Sequence, residues 1–443
     1  MFHTTICALA TARMNCAIHI IRVSGPNAYE IVNKISSKKI NKNKFKIMRT
    51  NIVDKNEIID DVLVNLFVAP YSYTGEDTIE INCHGGVLVA DTIISLLIKN
   101  GCDLAERGEF TKRAMLNKKI DISQTEAINN LIHAQNKYSL KGSVNALTGK
   151  TSESLKVLRD ELFMLIGQIE VNIDYPEYTD VEQINIENSK VVVNKLLVEL
   201  KKILINSKRF IPLNEGIKVA IVGEPNAGKS TLLNTLSKSD KAIVSNIPGT
   251  TRDVVESIIS IDDITLKLFD TAGIRQTDDV IEKLGIQKTK EYIDSSELVL
   301  LLQPLDNLDN SIINDIDLNN KKHIIVYTKA DLVTKLPSLK NNEVIISAKN
   351  NDIEALISKI KLLFEVEDFD NSDMNVLQSK RQIDLLENIV YILEDILTSL
   401  VIDPLDLVLE KMNLALTRFN QILGLDGEYD FLNELFKNFC LGK

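Results

Sequence analysis

Up to about residue 117 the chain carries short β-branched runs, AIHIIRVSG, VLVNLFVAP and DTIEINCHGG, and one longer apolar stretch of helical period, GGVLVADTIISLLIKNG, ending at Gly101. Short apolar runs bounded by turn residues predict strands, and an apolar face returning every three or four residues predicts a helix, so this region reads as α+β. From about Asp121 to Asn172 proline is absent and apolar residues recur at three and four, as in Leu155, Leu158, Leu162, Leu165, Ile166 and Ile169. Long amphipathic helices are predicted there. DYPEY at Asp174–Tyr178 interrupts them, a further helical stretch spans roughly 188–208, and IPLNEG reads as a linker because of its proline and glycine.

Between Ile217 and about Glu365 the pattern changes to short β-rich runs (KVAIVG, TLKLFD, LVLLLQ, HIIVYT, EVIIS) alternating with helical segments. That alternation predicts a parallel sheet wound by helices. After EVEDFDNSD the chain returns to helix, at about Val376–Leu400 and Pro404–Leu423. Helices on both sides of an inserted domain most simply form one bundle, because the ends of a compact inserted domain lie close together. The expected division is 1–117, an N-terminal α+β domain; 118–212, the first part of a helical domain; 213–369, an α/β domain; and 370–443, the second helical part with an FCLGK tail.

A chain of 443 residues exceeds what one core usually holds, and 44% hydrophobic with 26% charged residues is ordinary globular composition. The net charge of -11 repels polyanions, so any nucleic-acid contact needs a local basic surface or a basic partner. That argues against a histone-like mode of binding. The five cysteines, at 7, 16, 83, 102 and 440, never stand in CxxC spacing, which argues against a disulfide framework or zinc cluster and for a reducing cytoplasm. MFHTTICALATAR lacks a basic region before its apolar residues, and runs such as LVLLL are too short to cross a bilayer, so no membrane is expected.

The first chemical signal is GEPNAGKS, Gly223–Ser230, between the strand-like KVAIV and the helix-forming TLLNTL. A glycine-rich turn in that context aims backbone N–H groups at a β-phosphate, with Lys229 neutralising phosphate charge and the Ser230 hydroxyl placed for Mg2+. Three further stretches follow in the order a guanine-nucleotide domain requires. The carboxylate of DTAG (Asp270, Thr271, Ala272, Gly273) can hold a magnesium-bound water while the Gly273 N–H reaches the γ-phosphate. TKAD (Thr328, Lys329, Ala330, Asp331) offers Asp331 to the guanine N1–H and exocyclic amine, which adenine cannot match. SAK (Ser347, Ala348, Lys349) resembles the backbone contact to the guanine oxygen. Each stretch alone has a bland reading, a structural Asp or Ser after a strand; all four in order point to an inserted Ras-like P-loop GTPase domain. Where small GTPases usually carry Asn in the base-reading motif, this chain has Thr328, which loses a carboxamide contact toward the purine.

Inside the cradle Asn226, Ala227, Gly228, Lys229, Ser230 and Thr231 face the nucleotide. SNIPGTTRD supplies a covering loop in which Ser245, Asn246, Ile247, Pro248, Gly249, Thr250 and Thr251 approach it, with Thr251 completing the magnesium shell. Together these resemble the potassium-activated GTPases, in which Asn226, the carbonyls of Ser245 and Ile247 and a Thr250 oxygen would hold K+ beside the β/γ bridge. Neutral oxygens suit such an ion, and a positive charge there can replace an arginine finger, a role of about 10³ to 10⁵ in rate. Arg252 is a rival for that role, its plain reading being a salt bridge within the loop. The residue after DTAG is Ile274 rather than a water-orienting glutamine.

The flanks carry the widest resemblance. IIRVSG at Ile20–Gly25, YTGEDTIEINCHGG at Tyr73–Gly86, RGEFTKRAMLNKKIDISQTEAI at Arg107–Ile128, the inserted GTPase and the FCLGK tail together resemble the MnmE (TrmE) family of tRNA-modification GTPases over essentially the whole chain. The resemblance implies a folate-binding N-terminal domain that also dimerises, and a helical domain built from both flanks. It also implies Glu282 as the carboxylate that positions the attacking water, though locally it looks like any solvated helix Glu. Arg22, Glu80, Lys119 and Lys443 match the family's contacts to a 5-formyl- or 5,10-methylene-tetrahydrofolate; singly, each reads as a solvated charge. A cation and a carboxylate also suit the glutamate tail and pterin edge of such a molecule. Cys440 could stand near the one-carbon group as a nucleophile or be a buried structural thiol, and His84 could serve as an acid or base or simply cap a turn. Where relatives carry a PxGxGG-like run, this chain reads ATARMNCAIHI, so that part of the folate pocket is expected to differ.

The family resemblance implies a GTPase that acts with the flavoprotein MnmG (GidA), in a heterotetramer or larger complex, to place an aminomethyl-type group on carbon 5 of the wobble uridine of certain tRNAs. The alternative is a ribosome-associated GTPase of the potassium-dependent class. That reading calls for a basic RNA-binding module, and the one cluster, SSKKINKNKFK at Ser36–Lys46, reads as a solvated loop.

Overall fold

The computed structural model describes residues 4–41, 46–55, 57–174, 186–238, 242–245, 257–270, 291–307, 318, 321–333, 336–366, 369, 375–425, 439 and 442. Two compact units emerge: Met1–Asn129 with Phe419–Lys443, and Asn130–Arg418.

The first unit is built on a six-stranded sheet of β1 (Ile6–Leu9), β2 (Ile18–Ser24), β3 (Ile47–Asp54), β4 (Glu57–Phe67), β5 (Thr78–His84) and β6 (Asp103–Leu104), ordered β3-β4-β5-β2-β1-β6. All pairings are antiparallel except β1 with β6. Side chains alternate between faces of a strand. Ile21, Val23, Ile79, Ile81, Val62 and Val64 therefore share one face and pack in a buried core with α1 (Ala28–Lys34) and α2 (Val87–Lys99). The other face carries Arg22, Glu80 and Asn65 in one row, because the register pairs Arg22 with Glu80 and Glu80 with Asn65.

This unit also contains α3 (Glu109–Leu116) and the start of α4 (Ile122–His133). A fully buried arginine anchors α3. Arg113 donates to the Thr4 carbonyl (2.8 Å), to Glu109 (2.8 Å) and to Glu76 (3.2 Å). Two carboxylates and a carbonyl around one guanidinium satisfy a charge that burial alone would penalise.

In the second unit α5 (Lys137–Leu147), α6 (Lys150–Asp174) and α7 (Ile186–Glu215) accompany a helix at Lys380–Ile402 and the part of Leu405–Leu423 up to Arg418. The region expected as long helices from about Asp121 is divided, with breaks before α5 and before α6. The break before α5 is capped by Asn136, whose side chain accepts from the Ser139 N–H. The linker expected at IPLNEG is not one: α7 runs through Pro212 to Glu215. Burial of Phe210 and Leu213 on either side of the proline holds that last turn against the lost backbone bond. DYPEY lies outside the described residues apart from Asp174, which ends α6.

α7 feeds through Gly216 into a seven-stranded sheet of β7 (Ile217–Gly223), β8 (Ala242–Ser245), β9 (Ser257–Ile261), β10 (Ile264–Asp270), β11 (Leu298–Pro304), β12 (Lys322–Thr328) and β13 (Glu343–Ile345). Its order is β13-β12-β11-β7-β10-β9-β8. The five strands from β13 to β10 run parallel, and β9 and β8 add antiparallel at the edge. α8 (Lys229–Lys238) and a helix at Glu354–Leu363 pack on it. The Asn136 amide donates both to the Leu213 carbonyl (2.9 Å) and to the Thr265 hydroxyl (3.2 Å), joining the end of α7 to the start of β10.

The α5–α7 contact is close enough to require glycine. A Cβ on Gly142 would meet the Phe210 ring at 2.3 Å. Gly142→Ala is expected to lower stability by about 1–3 kcal/mol, the usual range for overpacking, despite alanine's better helix propensity. Thermal unfolding followed by circular dichroism checks this, and a midpoint at or above wild type would contradict the packing described.

Candidate functional site

Parallel strands leave their carboxyl ends along one edge of a sheet, where such domains bind ligands. Here β7 ends at Gly223 and β12 at Thr328, and the residues that follow carry the phosphate cradle and the base-reading motif. The cradle turns on two left-handed residues, Asn226 (φ 64°) and Gly228 (φ 95°), before α8 opens at Lys229. Asn226 is exposed and Ala227 is fully buried between them. The Lys229 ammonium donates to the Gly223 carbonyl at 2.6 Å, which bends its side chain back over the turn. Ser230 and Thr231 follow on the first turn of α8 and are exposed.

The base-reading loop is fastened to this cradle. Thr328 is buried, and its hydroxyl donates to the Ala227 carbonyl at 2.7 Å. Lys329 takes the left-handed conformation (φ 61°) and its ammonium meets Asp306 at 2.9 Å, while Ala330 opens a 3-10 turn that includes Asp331. Asp331 accepts at Oδ1 from the Ser347 hydroxyl (2.9 Å), so the second and third base-side stretches also touch. Ala348 is held in turn by α8, whose Thr235 hydroxyl donates to its carbonyl at 2.9 Å, and Lys349 is exposed beside it. Asn226, Ala227, Gly228, Lys229, Thr328, Asp331, Ser347 and Ala348 thus form one connected edge.

Of the remaining nucleotide-site residues, Ser245 and Asp270 are described only as the last backbone positions of β8 and β10. Asn246, Ile247, Pro248, Gly249, Thr250, Thr251, Arg252, Thr271, Ala272, Gly273 and Glu282 lie outside the described residues. Among the described residues no cluster of three or more His, Cys, Asp or Glu suits a metal ion, and no helix is long and apolar enough to cross a membrane.

A second site lies on the first unit's sheet, on the face away from α1 and α2. Arg22 and Glu80, cross-strand neighbours, form a bidentate contact to one carboxylate oxygen, Nε at 3.0 Å and Nη2 at 2.8 Å from Oε1. Both side chains are less than one-fifth exposed. The guanidinium also stands 5.5 Å from the ring centroids of Tyr73 and Phe110, within cation–π range. Burial pushes the Tyr73 phenol up, and its hydroxyl shares a 2.8 Å hydrogen bond with the Thr111 hydroxyl.

The tail reaches this place. The Gly442 carbonyl accepts from Arg22 Nη1 at 3.3 Å, and a Cβ on Gly442 would fall 2.3 Å from the Leu9 carbonyl, so only glycine lets the chain lie this close to β1. Phe439 is buried. Lys119 is exposed and donates to the Pro70 carbonyl at 3.0 Å, at the start of the loop that carries Tyr73. His84 is held by Asp60 at 2.6 Å and is largely exposed. Cys440 and Lys443 lie outside the described residues.

Sequence reading missed Tyr73 and Phe110 as partners of Arg22. The signal was present only as an aromatic opening YTGEDT and another inside RGEF, and nothing in either run gives the register that brings both rings to β2. The Thr328–Ala227 bond was likewise invisible, since it joins residues about a hundred positions apart.

The MnmE helical domain model matches residues 122–440, and the model of the GTP-binding protein TrmE N-terminus matches residues 5–119. The tRNA modification GTPase MnmE of Ureaplasma parvum serovar 3 is 54% identical over 441 residues, 99% of this chain and 100% of the relative. The protein of the same name from Mycoplasmoides gallisepticum is 46% identical, covering 100% of this chain and 98% of its own length. That of Malacoplasma penetrans is 41% identical over 99% of both. Domain models on both flanks and relatives aligned from end to end agree with the nucleotide edge described above, and the chain belongs to the MnmE family of tRNA modification GTPases.

Proposed function

We propose that this GTPase is activated by potassium and acts with the flavoprotein MnmG on carbon 5 of the wobble uridine of certain tRNAs. The carbon of its aminomethyl-type product comes from a 5-formyl- or 5,10-methylene-tetrahydrofolate. The observation that carries the folate half of this reading is the Arg22–Glu80 pair, half-enclosed by Tyr73, Phe110 and the Gly442 carbonyl. Arg22 occupies only Oε1 of Glu80, and a carboxylate keeps acceptor capacity on its second oxygen for the N–H edge of a pterin. The guanidinium and the partly exposed Tyr73 ring offer flat surfaces to a flat heterocycle, while the fully buried Phe110 ring backs the guanidinium from behind. These residues therefore fit the group. Lys119 and Lys443 would meet its carboxylate tail, and Cys440 would lie near the one-carbon unit.

At the nucleotide edge, Asn226, Ala227, Gly228 and Lys229 bind the phosphates, Thr231 follows them on α8, and Asp331 with the Ser347–Lys349 stretch orients guanine. Ser230 and Thr251 would hold Mg2+, with Asp270 reaching it through water and Gly273 donating to the γ-phosphate. The exposed carboxamide of Asn226, set on a left-handed turn, suits a monovalent cation, and Ser245, Ile247 and Thr250 would complete its cage. When bound, that ion supplies positive charge where phosphate charge builds up. Glu282 would position the attacking water, as the family resemblance implies, and Arg252 is the rival to the cation. The remaining loop residues, Asn246, Pro248 and Gly249, would cover the nucleotide. The domain division at 117, 212 and 369, a homodimer formed through N-terminal domains, a heterotetramer or larger complex with MnmG, and a cytoplasmic location complete the reading.

Two measurements test it. Hydrolysis by the wild type should be several-fold faster in potassium than in sodium, and Asn226→Ala should bring the two rates together; an unchanged ratio in the variant would remove Asn226 from the cation's shell. Calorimetric titration with 5-formyltetrahydrofolate should give saturable heat that Arg22→Ala weakens by about tenfold or more, as expected for losing a charge-assisted contact. No heat with folded wild-type protein would favour a GTPase without folate chemistry, such as one acting on the ribosome.

A further inference from the structure

Thr328 stands where the base is read, and the structure leaves its hydroxyl no proton to spare. The residue is 3% exposed at the end of β12, and its hydroxyl donates to the Ala227 carbonyl at 2.7 Å. A threonine hydroxyl has one donor and two acceptor lone pairs, so what remains on Thr328 can only accept. Guanine's N7 and O6 are acceptors too. Turning the proton toward N7 would strand the carbonyl of Ala227, a residue with no exposed surface, and an unmet buried acceptor costs about as much as the new bond would return. An asparagine at this position carries two N–H donors, enough for a cradle carbonyl and a base atom together.

The Lys329, Asp331 and Ser347 side chains do not replace the missing donor. The Lys329 ammonium is directed to Asp306 at 2.9 and 3.1 Å, and Asp331 can only accept. The Ser347 hydroxyl gives its proton to Asp331 at 2.9 Å. We infer that this site does not read N7 of guanine, that Thr328 is the residue that sets this, and that base choice rests on Asp331 acting on N1–H and the exocyclic amine. The ligand class that follows is guanine nucleotides in which a C–H replaces N7, bound as well as the natural ones. The inference rests on the reading of this edge as the guanine-nucleotide site.

Displacement of a fluorescent GDP analogue from the full chain, with GDP, 7-deaza-GDP and IDP as competitors, tests it. GDP and 7-deaza-GDP are expected to bind within about twofold of each other, while IDP, which lacks the exocyclic amine, binds at least about tenfold more weakly. Thr328→Asn should introduce a preference for GDP over 7-deaza-GDP of about fivefold or more. A wild type that prefers GDP over 7-deaza-GDP by tenfold overturns the inference while leaving the guanine site intact. A chain that binds none of the guanine nucleotides overturns the site itself and the inference with it. The wild-type ratio decides the matter whether or not the variant folds.

Discussion

The nucleotide edge proposed for this protein depends on one hydrogen bond, from the Thr328 hydroxyl to the Ala227 carbonyl, that joins the loop carrying TKAD to the loop carrying GEPNAGKS. Parallel pairing sets it up. β11 lies between β7 and β12 in register, with Leu302 opposite Gly223 and Pro304 opposite Thr328, so the two loops leave the sheet side by side. Thr235 on Ala348 and Ser347 on Asp331 then bring the third loop into the same framework. On the proposed reading, base and phosphate recognition are therefore not independent: a hydroxyl that fastens the loops gives the ligand no proton.

The first unit obeys a similar rule by antiparallel pairing. Alternation sends Ile21, Val23, Ile79 and Ile81 to the core, which obliges Arg22 and Glu80 to share the opposite face. A charged pair there keeps contact with solvent, yet Tyr73, Phe110 and the Gly442 carbonyl enclose it, so that it is not a fully solvated ion pair. An exposed pair of this kind would contribute little; a partly enclosed one holds its geometry.

Much of this was legible in the chain. KVAIVG, TLKLFD, LVLLLQ, HIIVYT and EVIIS became β7, β10, β11, β12 and β13, because buried parallel strands are continuous apolar runs that sequence pattern detects well. β8 and β9 escaped: they are short, and they extend the sheet by antiparallel pairing, β9 with β10 and β8 with β9 at the edge, which local pattern does not reveal. The pattern also failed at Pro212, where burial of Phe210 and Leu213 outweighs the local preference to stop a helix. At the sites, the stretches expected to meet phosphate and guanine could be named in advance, since the chemistry that suggests them is local. Which side chain gives its proton to which carbonyl could not, because that is settled by contacts such as Thr328 with Ala227 and Arg22 with Gly442 that no spacing encodes.

The most direct measurement of the central linkage is calorimetric GDP affinity for Thr328→Val beside Thr328→Ser. Because the hydroxyl serves the cradle and not the base, any change in affinity reports on the joining of the two loops. A valine, of nearly the same shape, should weaken GDP binding by about fivefold or more by leaving the Ala227 carbonyl unmet, while serine stays near wild type. Equal affinity in valine and wild type, in a protein with unaltered circular dichroism, would contradict the claim that this bond holds the nucleotide edge together.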